Sequence, residues 1–82
     1  MKEIILVGAE WCPSCHAMRK WFFSEAVPGI AMRYKDVEEL ASAGIASLPT
    51  ILFKDNNIEI QRITGAVGRT EFAGKIQSIF GI

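Results

Sequence analysis

The sequence carries no surplus of either charge: nine Lys and Arg face nine Asp and Glu, and the formal net charge is zero. A chain without a net field has little to draw in nucleic acid or an anionic membrane surface, so neither is an expected partner. Long apolar runs are lacking as well. No stretch approaches the roughly 20 residues of a membrane span, and Met1-Lys2-Glu3 before the short run Ile4-Ile5-Leu6-Val7 does not make a secretory leader. A cytoplasmic protein is the expectation. Repeats, linkers and low-complexity segments are missing too, and a chain of 82 residues has no room for a second core, so residues 1–82 are expected to form a single, monomeric domain. Cysteine and histidine are scarce, at two and one. In a reducing compartment a pair of cysteines points to catalysis or metal rather than to a structural staple.

What is present is their spacing. The two cysteines stand three apart in Trp11-Cys12-Pro13-Ser14-Cys15-His16, just after the apolar run that ends at Val7. Pro13 suits the first turn of a helix, where its missing N–H would have no partner. A helix starting there sets residues i and i+3 on neighbouring faces, close enough for Cys12 and Cys15 to close a short disulfide. The same start aims unpaired backbone N–H groups at Cys12 and favours its thiolate. A nucleophile and a resolving thiol are thereby side by side.

Two other chemistries share this spelling. Cys12-Pro13-Ser14-Cys15-His16 is also the C-x-x-C-H pattern of haem c attachment, against which stand the flanking strands and the lack of an export signal. Zinc in a structural site usually takes four ligands; Cys12, Cys15 and His16 supply three, so a site shared between two copies would be needed. No metal and no separate cofactor are expected, the dithiol itself being the redox group.

Ile4 to Val7 reads as a central strand buried on both faces. From Pro13 the pattern is helical, with Cys15, Met18, Trp21 and Phe22 on one side, until Pro28-Gly29. Ile30, Met32 and Tyr34 alternate with Ala31, Arg33 and Lys35 as a second strand, and Asp36 can cap a short helical segment over Glu38–Ala43 that Gly44 stops. Thr50–Phe53 and Ile58–Ile63 are strands joined by a tight hairpin across Lys54-Asp55-Asn56-Asn57. Phe72, Ile76, Ile79 and Phe80 mark the last helix, which Gly81 ends. Trp21, Phe22, Phe72 and Phe80 read as packing. The order βαβαββα predicts an α/β fold whose first half is parallel and whose second half is an antiparallel hairpin, with the first and last helices on one face.

Ala9-Glu10-Trp11-Cys12-Pro13-Ser14-Cys15, Gly44-Ile45-Ala46-Ser47-Leu48-Pro49-Thr50, Phe53-Lys54-Asp55-Asn56 and Gly65-Ala66, taken together with their spacing, resemble the thioredoxin superfamily from end to end. The length and the proline after the first cysteine are similar to glutaredoxins. The resemblance implies the thioredoxin fold: a four-stranded mixed sheet with three helices packed on it. It implies that Pro49 is a cis proline facing the dithiol, that the Leu48 backbone pairs with an extended substrate segment, and that Trp11, Pro13, Ser14, Thr64 and Gly65 complete the groove. The implied function is a thiol-disulfide oxidoreductase that reduces protein disulfides: Cys12 attacks and Cys15 resolves. A reductase or glutathione would supply electrons. A glutathione-dependent glutaredoxin and a non-catalytic binding module of the same fold are the alternatives.

Two departures from the family pattern stand out. Thioredoxins carry a buried acid six residues before the first cysteine, where this chain has Leu6, so water, Glu10 or His16 is left to take the Cys15 proton. Glutaredoxins place a basic residue before that cysteine and an acidic pair after the glycine loop. Here Gly8-Ala9-Glu10 and Gly65-Ala66-Val67-Gly68-Arg69 stand instead, which favours protein disulfides over glutathione.

Overall fold

A computed structural model describes residues 1–82. Four strands, β1 (Lys2–Gly8), β2 (Ile30–Asp36), β3 (Thr50–Asp55) and β4 (Ile58–Thr64), form one mixed sheet in the order β2-β1-β3-β4. β1 pairs parallel with β2 and antiparallel with β3. This central place explains its composition. Ile4 through Val7 have neighbours on both edges and cover on both faces, so the run is apolar throughout and wholly buried.

The pleat sends alternate residues to opposite faces. Ile4 and Leu6 of β1, with Ile51 and Phe53 of β3, meet Met18 and Phe22 of α1 (Pro13–Phe22) and Phe72 and Ile76 of α2 (Arg69–Phe80). Both helices therefore lie on one face, as the connection rules predict. Phe72 joins them: its ring stands 5.6 Å from Trp21, 5.3 Å from Phe22 and 6.3 Å from Phe53. On the other face Ile5, Val7 and Leu52 are covered by Val37, Leu40, Ile45 and Leu48.

The helical stretch predicted from Pro13 to Pro28-Gly29 ends sooner. α1 stops at Phe22, a 3₁₀ turn follows over Phe23–Glu25, and Ala26 is already extended. Pro28 restricts Val27 and has no N–H to offer the Ser24 carbonyl, which bars the α-helix from running on to Pro28-Gly29. The segment expected over Glu38–Ala43 forms as a 3₁₀ helix, Val37–Ala43, broken at Leu40 (φ −121°, ψ 35°). One or two turns cannot repay α-helix nucleation. Its ends are well defined: Asp36 accepts from the Glu38 N–H at 2.9 Å while Glu39 accepts from the Asp36 N–H at 2.9 Å, a capping box, and Gly44 closes it at φ 66°. The hairpin turns on Asn56 and Asn57 alone, both at positive φ, the two-residue geometry that asparagine tolerates. In β4 the register slips by one beside Phe53 and Lys54, leaving Ile60 without a partner on β3.

Candidate active site

β1 ends at Gly8, and the chain turns through Ala9 to Trp11 into α1. Cys12 is the N-cap of that helix, with extended backbone (φ −105°, ψ 102°) and Pro13 directly behind it. Its sulfur accepts a hydrogen bond from the Cys15 N–H at 3.2 Å, one of the helix's otherwise unpaired donors. Cys12 keeps a sliver of exposure, 6%, whereas Cys15, one turn in, has none. The two form a disulfide with their α-carbons 5.3 Å apart. Pro13 and Ser14 between them are exposed.

The sheet register brings the remaining candidates to the same end. Val7 pairs with Thr50 and Thr50 with Thr64, so the start of β3 and the end of β4 stand beside the exit of β1. Leu48 packs on the cluster of Ala9, Cys12 and Cys15. Pro49 is buried, and the Leu48–Pro49 peptide is cis. Gly65 donates its N–H to the Pro49 carbonyl at 2.8 Å and adopts φ 96°, a backbone that side chains disfavour, although a β-carbon there would meet no atom within 4 Å. Thr64 is exposed. Trp11 is 75% exposed, so it is not core packing; it stands free at the mouth of the loop.

Leu6 is fully buried in the main core, among Met18, Phe22 and Phe72. His16 Nε2–H donates to the Glu10 carbonyl oxygen at 2.6 Å, which ties the loop before Cys12 to α1 and occupies that ring nitrogen. Three residues that the sequence reading passed over also shape this end. A β-carbon on Gly8 would lie 2.6 Å from the Tyr34 hydroxyl and 2.9 Å from Cys15 Cβ, so the glycine is needed for space and not for its backbone angle. Tyr34 reaches this point because it pairs with Leu6 across the parallel strands, and the Arg19 guanidinium lies over its ring at 4.1 Å from the centroid. Arg62 fastens the end of the 3₁₀ helix, from which the chain runs on to Leu48. It donates to the Ala43 and Gly44 carbonyls at 2.8 and 3.2 Å and to both Glu59 oxygens at 2.6 and 2.7 Å. The Arg62 hydrogen bonds hold the Glu59 carboxyl below the usual range, against the opposing effect of desolvation. Gly8 closing an apolar strand is a weak trace of this crowding in the sequence; the Arg62 link has none.

No family model matches the chain, and no curated protein matches it. Solved structures do. A wild-type poplar thioredoxin h superposes with a TM-score of 0.83 at 26% identity, covering 99% of this chain and 78% of that one. A mutant thioredoxin from Halobacterium salinarum gives 0.82 at 22%, covering 94% and 73%, and thioredoxin 1 from Thermosipho africanus gives 0.80 at 23%, covering 96% and 94%. The chain has the thioredoxin fold, and the likeness supports a relationship to the thioredoxin superfamily. Its cysteine pair within a thioredoxin fold supports a thiol-disulfide oxidoreductase.

Within the thioredoxin fold the dithiol follows the carboxyl end of the central strand, where the chain leaves the sheet and its backbone is free of ladder pairing. No helix of this thioredoxin-fold chain is long and apolar enough to cross a membrane.

Proposed function

We propose that this protein reduces disulfides of protein substrates, with Cys12 as the attacking thiol and Cys15 as the resolving one. The observation that carries the reading is the asymmetry of the pair. Cys12 sits at the surface end of α1 with the Cys15 N–H directed at its sulfur, and Cys15 is closed off one turn behind. A helix N-terminus favours the anionic sulfur, and exchange proceeds through the thiolate. Cys12 attacks a substrate disulfide and forms a mixed disulfide. Cys15 then attacks Cys12, restoring the disulfide pair and releasing the reduced substrate.

Leu48 and Pro49, tied through the Pro49 carbonyl to Gly65, form one wall for an extended substrate segment, with Trp11, Pro13, Ser14 and Thr64 at its rim. A strand-like substrate fits protein disulfides better than a free tripeptide. The loop Gly65–Arg69 also lacks an acidic pair for glutathione's amine. A reductase is therefore the preferred electron donor, the dithiol is the sole redox group, and the protein works as a cytoplasmic monomer.

Cys12→Ser is expected to abolish turnover of a disulfide-bonded protein substrate such as insulin. Cys15→Ser is expected to accumulate a covalent mixed disulfide, visible by non-reducing electrophoresis and mass spectrometry. Retained turnover in the Cys12 variant would overturn the assignment, and recycling by a thioredoxin reductase against glutathione identifies the donor.

A further inference from the structure

Cys15 has no carboxylate behind it. Leu6 fills the core beneath, and the neighbours Ala9, Val37 and Leu48 carry no titratable group. The ionisable groups on the surrounding elements are engaged elsewhere: His16 on the Glu10 carbonyl, Asp36, opposite Gly8 on β2, on the Glu38 N–H, and Arg19 on the Tyr34 ring. Glu10 and Lys35 stay at the solvent margin of the loop and of β2. One polar atom comes to the same gap as the buried cysteine, although it makes no hydrogen bond to the Cys15 sulfur in the disulfide form. The Tyr34 hydroxyl and Cys15 Cβ flank the same gap above Gly8, both within 3 Å of the point where a side chain would begin. Tyr34 is half-buried, and no side-chain oxygen in the molecule is shut away from water without a partner, so the hydroxyl keeps a route to solvent.

We propose that Tyr34 is the positioning residue of the resolving step: its hydroxyl donates a hydrogen bond to the Cys15 sulfur as that thiol ionises and connects it to water. This rests on the reading of Cys12 as attacking thiol and Cys15 as resolving thiol. In the step, the Cys15 S–H proton leaves to water and the Cys15 sulfur attacks the Cys12 sulfur. The Cys12–Cys15 bond forms as the bond from Cys12 to the substrate sulfur breaks. The substrate sulfur departs with the electron pair and takes a proton from water. Over the cycle the dithiol is oxidised and the substrate disulfide reduced by two electrons. A phenol at neutral pH is a donor, so Tyr34 stabilises the thiolate rather than removing the proton. Arg19, stacked on the ring one turn beyond Cys15, holds the phenol in place.

The test mixes reduced protein with an aromatic disulfide that releases a coloured thiol at each step, followed by stopped flow across pH. Tyr34→Phe removes the hydroxyl and keeps the ring. It is expected to leave the first phase unchanged, to slow the second roughly tenfold at neutral pH, the size of one hydrogen bond to a charged group, and to move the pH midpoint of that phase upward. A wild type with both phases and a Tyr34→Phe profile that superimposes on it overturns the proposal alone. Wild type lacking the first phase, or Cys15→Ser still releasing both coloured thiols, overturns the assignment of the cysteines and the proposal with it. A second readout does not need the tyrosine variant. Tyr34 is the only tyrosine, and in Cys12→Ser its ring Cζ resonance is expected to titrate together with the Cys15 thiolate absorbance; a Tyr34 resonance that ignores Cys15 ionisation overturns the proposal.

Discussion

Two glycines of this chain carry opposite consequences although neither sits at positive φ. A methyl group at Gly8 would run into Tyr34 and Cys15, whereas at Gly74, within α2, it would meet nothing within 4 Å. Gly8→Ala is therefore an overpacking change, expected to cost about 1–3 kcal/mol. Gly74→Ala is expected to gain about 0.5–1 kcal/mol from helix propensity and reduced freedom of the unfolded chain. Denaturant midpoints of the two variants check both signs, and a neutral Gly8→Ala would mean that Tyr34 moves aside without cost. At this scale the cysteine pair is legible from its spacing and its proline. Tyr34 is not, because along β2 it reads like any inward residue of an alternating strand. Its partner is set by pairing with a strand more than twenty residues away.

Among the elements, the stretch from Asp36 to Pro49 shows how little local pattern says about a short segment. Its capping residues and its terminating glycine are visible in the sequence, yet too few turns form for an α-helix, and the 3₁₀ path breaks at Leu40. What fastens its far end is the Glu59–Arg62 pair on β4, reaching the Ala43 and Gly44 carbonyls. Because Glu59 titrates lower in the folded chain than in the unfolded one, its contribution is complete above the ordinary carboxylate range. It declines as pH falls toward the folded value and is gone below it. Glu59→Gln is thus expected to lower the melting temperature slightly at neutral pH, in keeping with an exposed pair, and to match wild type in acid. Melting curves across pH decide this; a difference that persists unchanged in acid would show that the carboxylate charge is not its source.

For the whole molecule, the helical face depends on one ring. Phe72 is fully buried and touches α1 through Trp21 and Phe22 and the sheet through Phe53, while Glu25, in the 3₁₀ turn after α1, pairs with Arg69 of α2 at 2.6 Å. Phe72→Ala is expected to cost about 3–5 kcal/mol, a large share of what a domain this small can hold. The loss should be seen in chemical denaturation and should exceed that of Trp21→Ala, whose side chain is only half-buried. Equal losses would place the hinge of the packing elsewhere.

The sequence by itself determined the element order, the burial of β1 and the pairing of Cys12 with Cys15, because these depend on local spacing: an all-apolar run too short for a helix, a proline at a helix start, and two thiols one turn apart. The family resemblance already pointed to Leu48, Pro49 and Gly65; tertiary structure shows how they come to the end of the sheet where those thiols lie, and it alone decided that Tyr34 stands there too. The parallel register of β1 and β2 carries Tyr34 to the gap above Gly8, and the antiparallel register of β1, β3 and β4 brings Leu48, Pro49 and Gly65 to the same end. Such contacts join residues far apart in the chain, and register, not propensity, sets them.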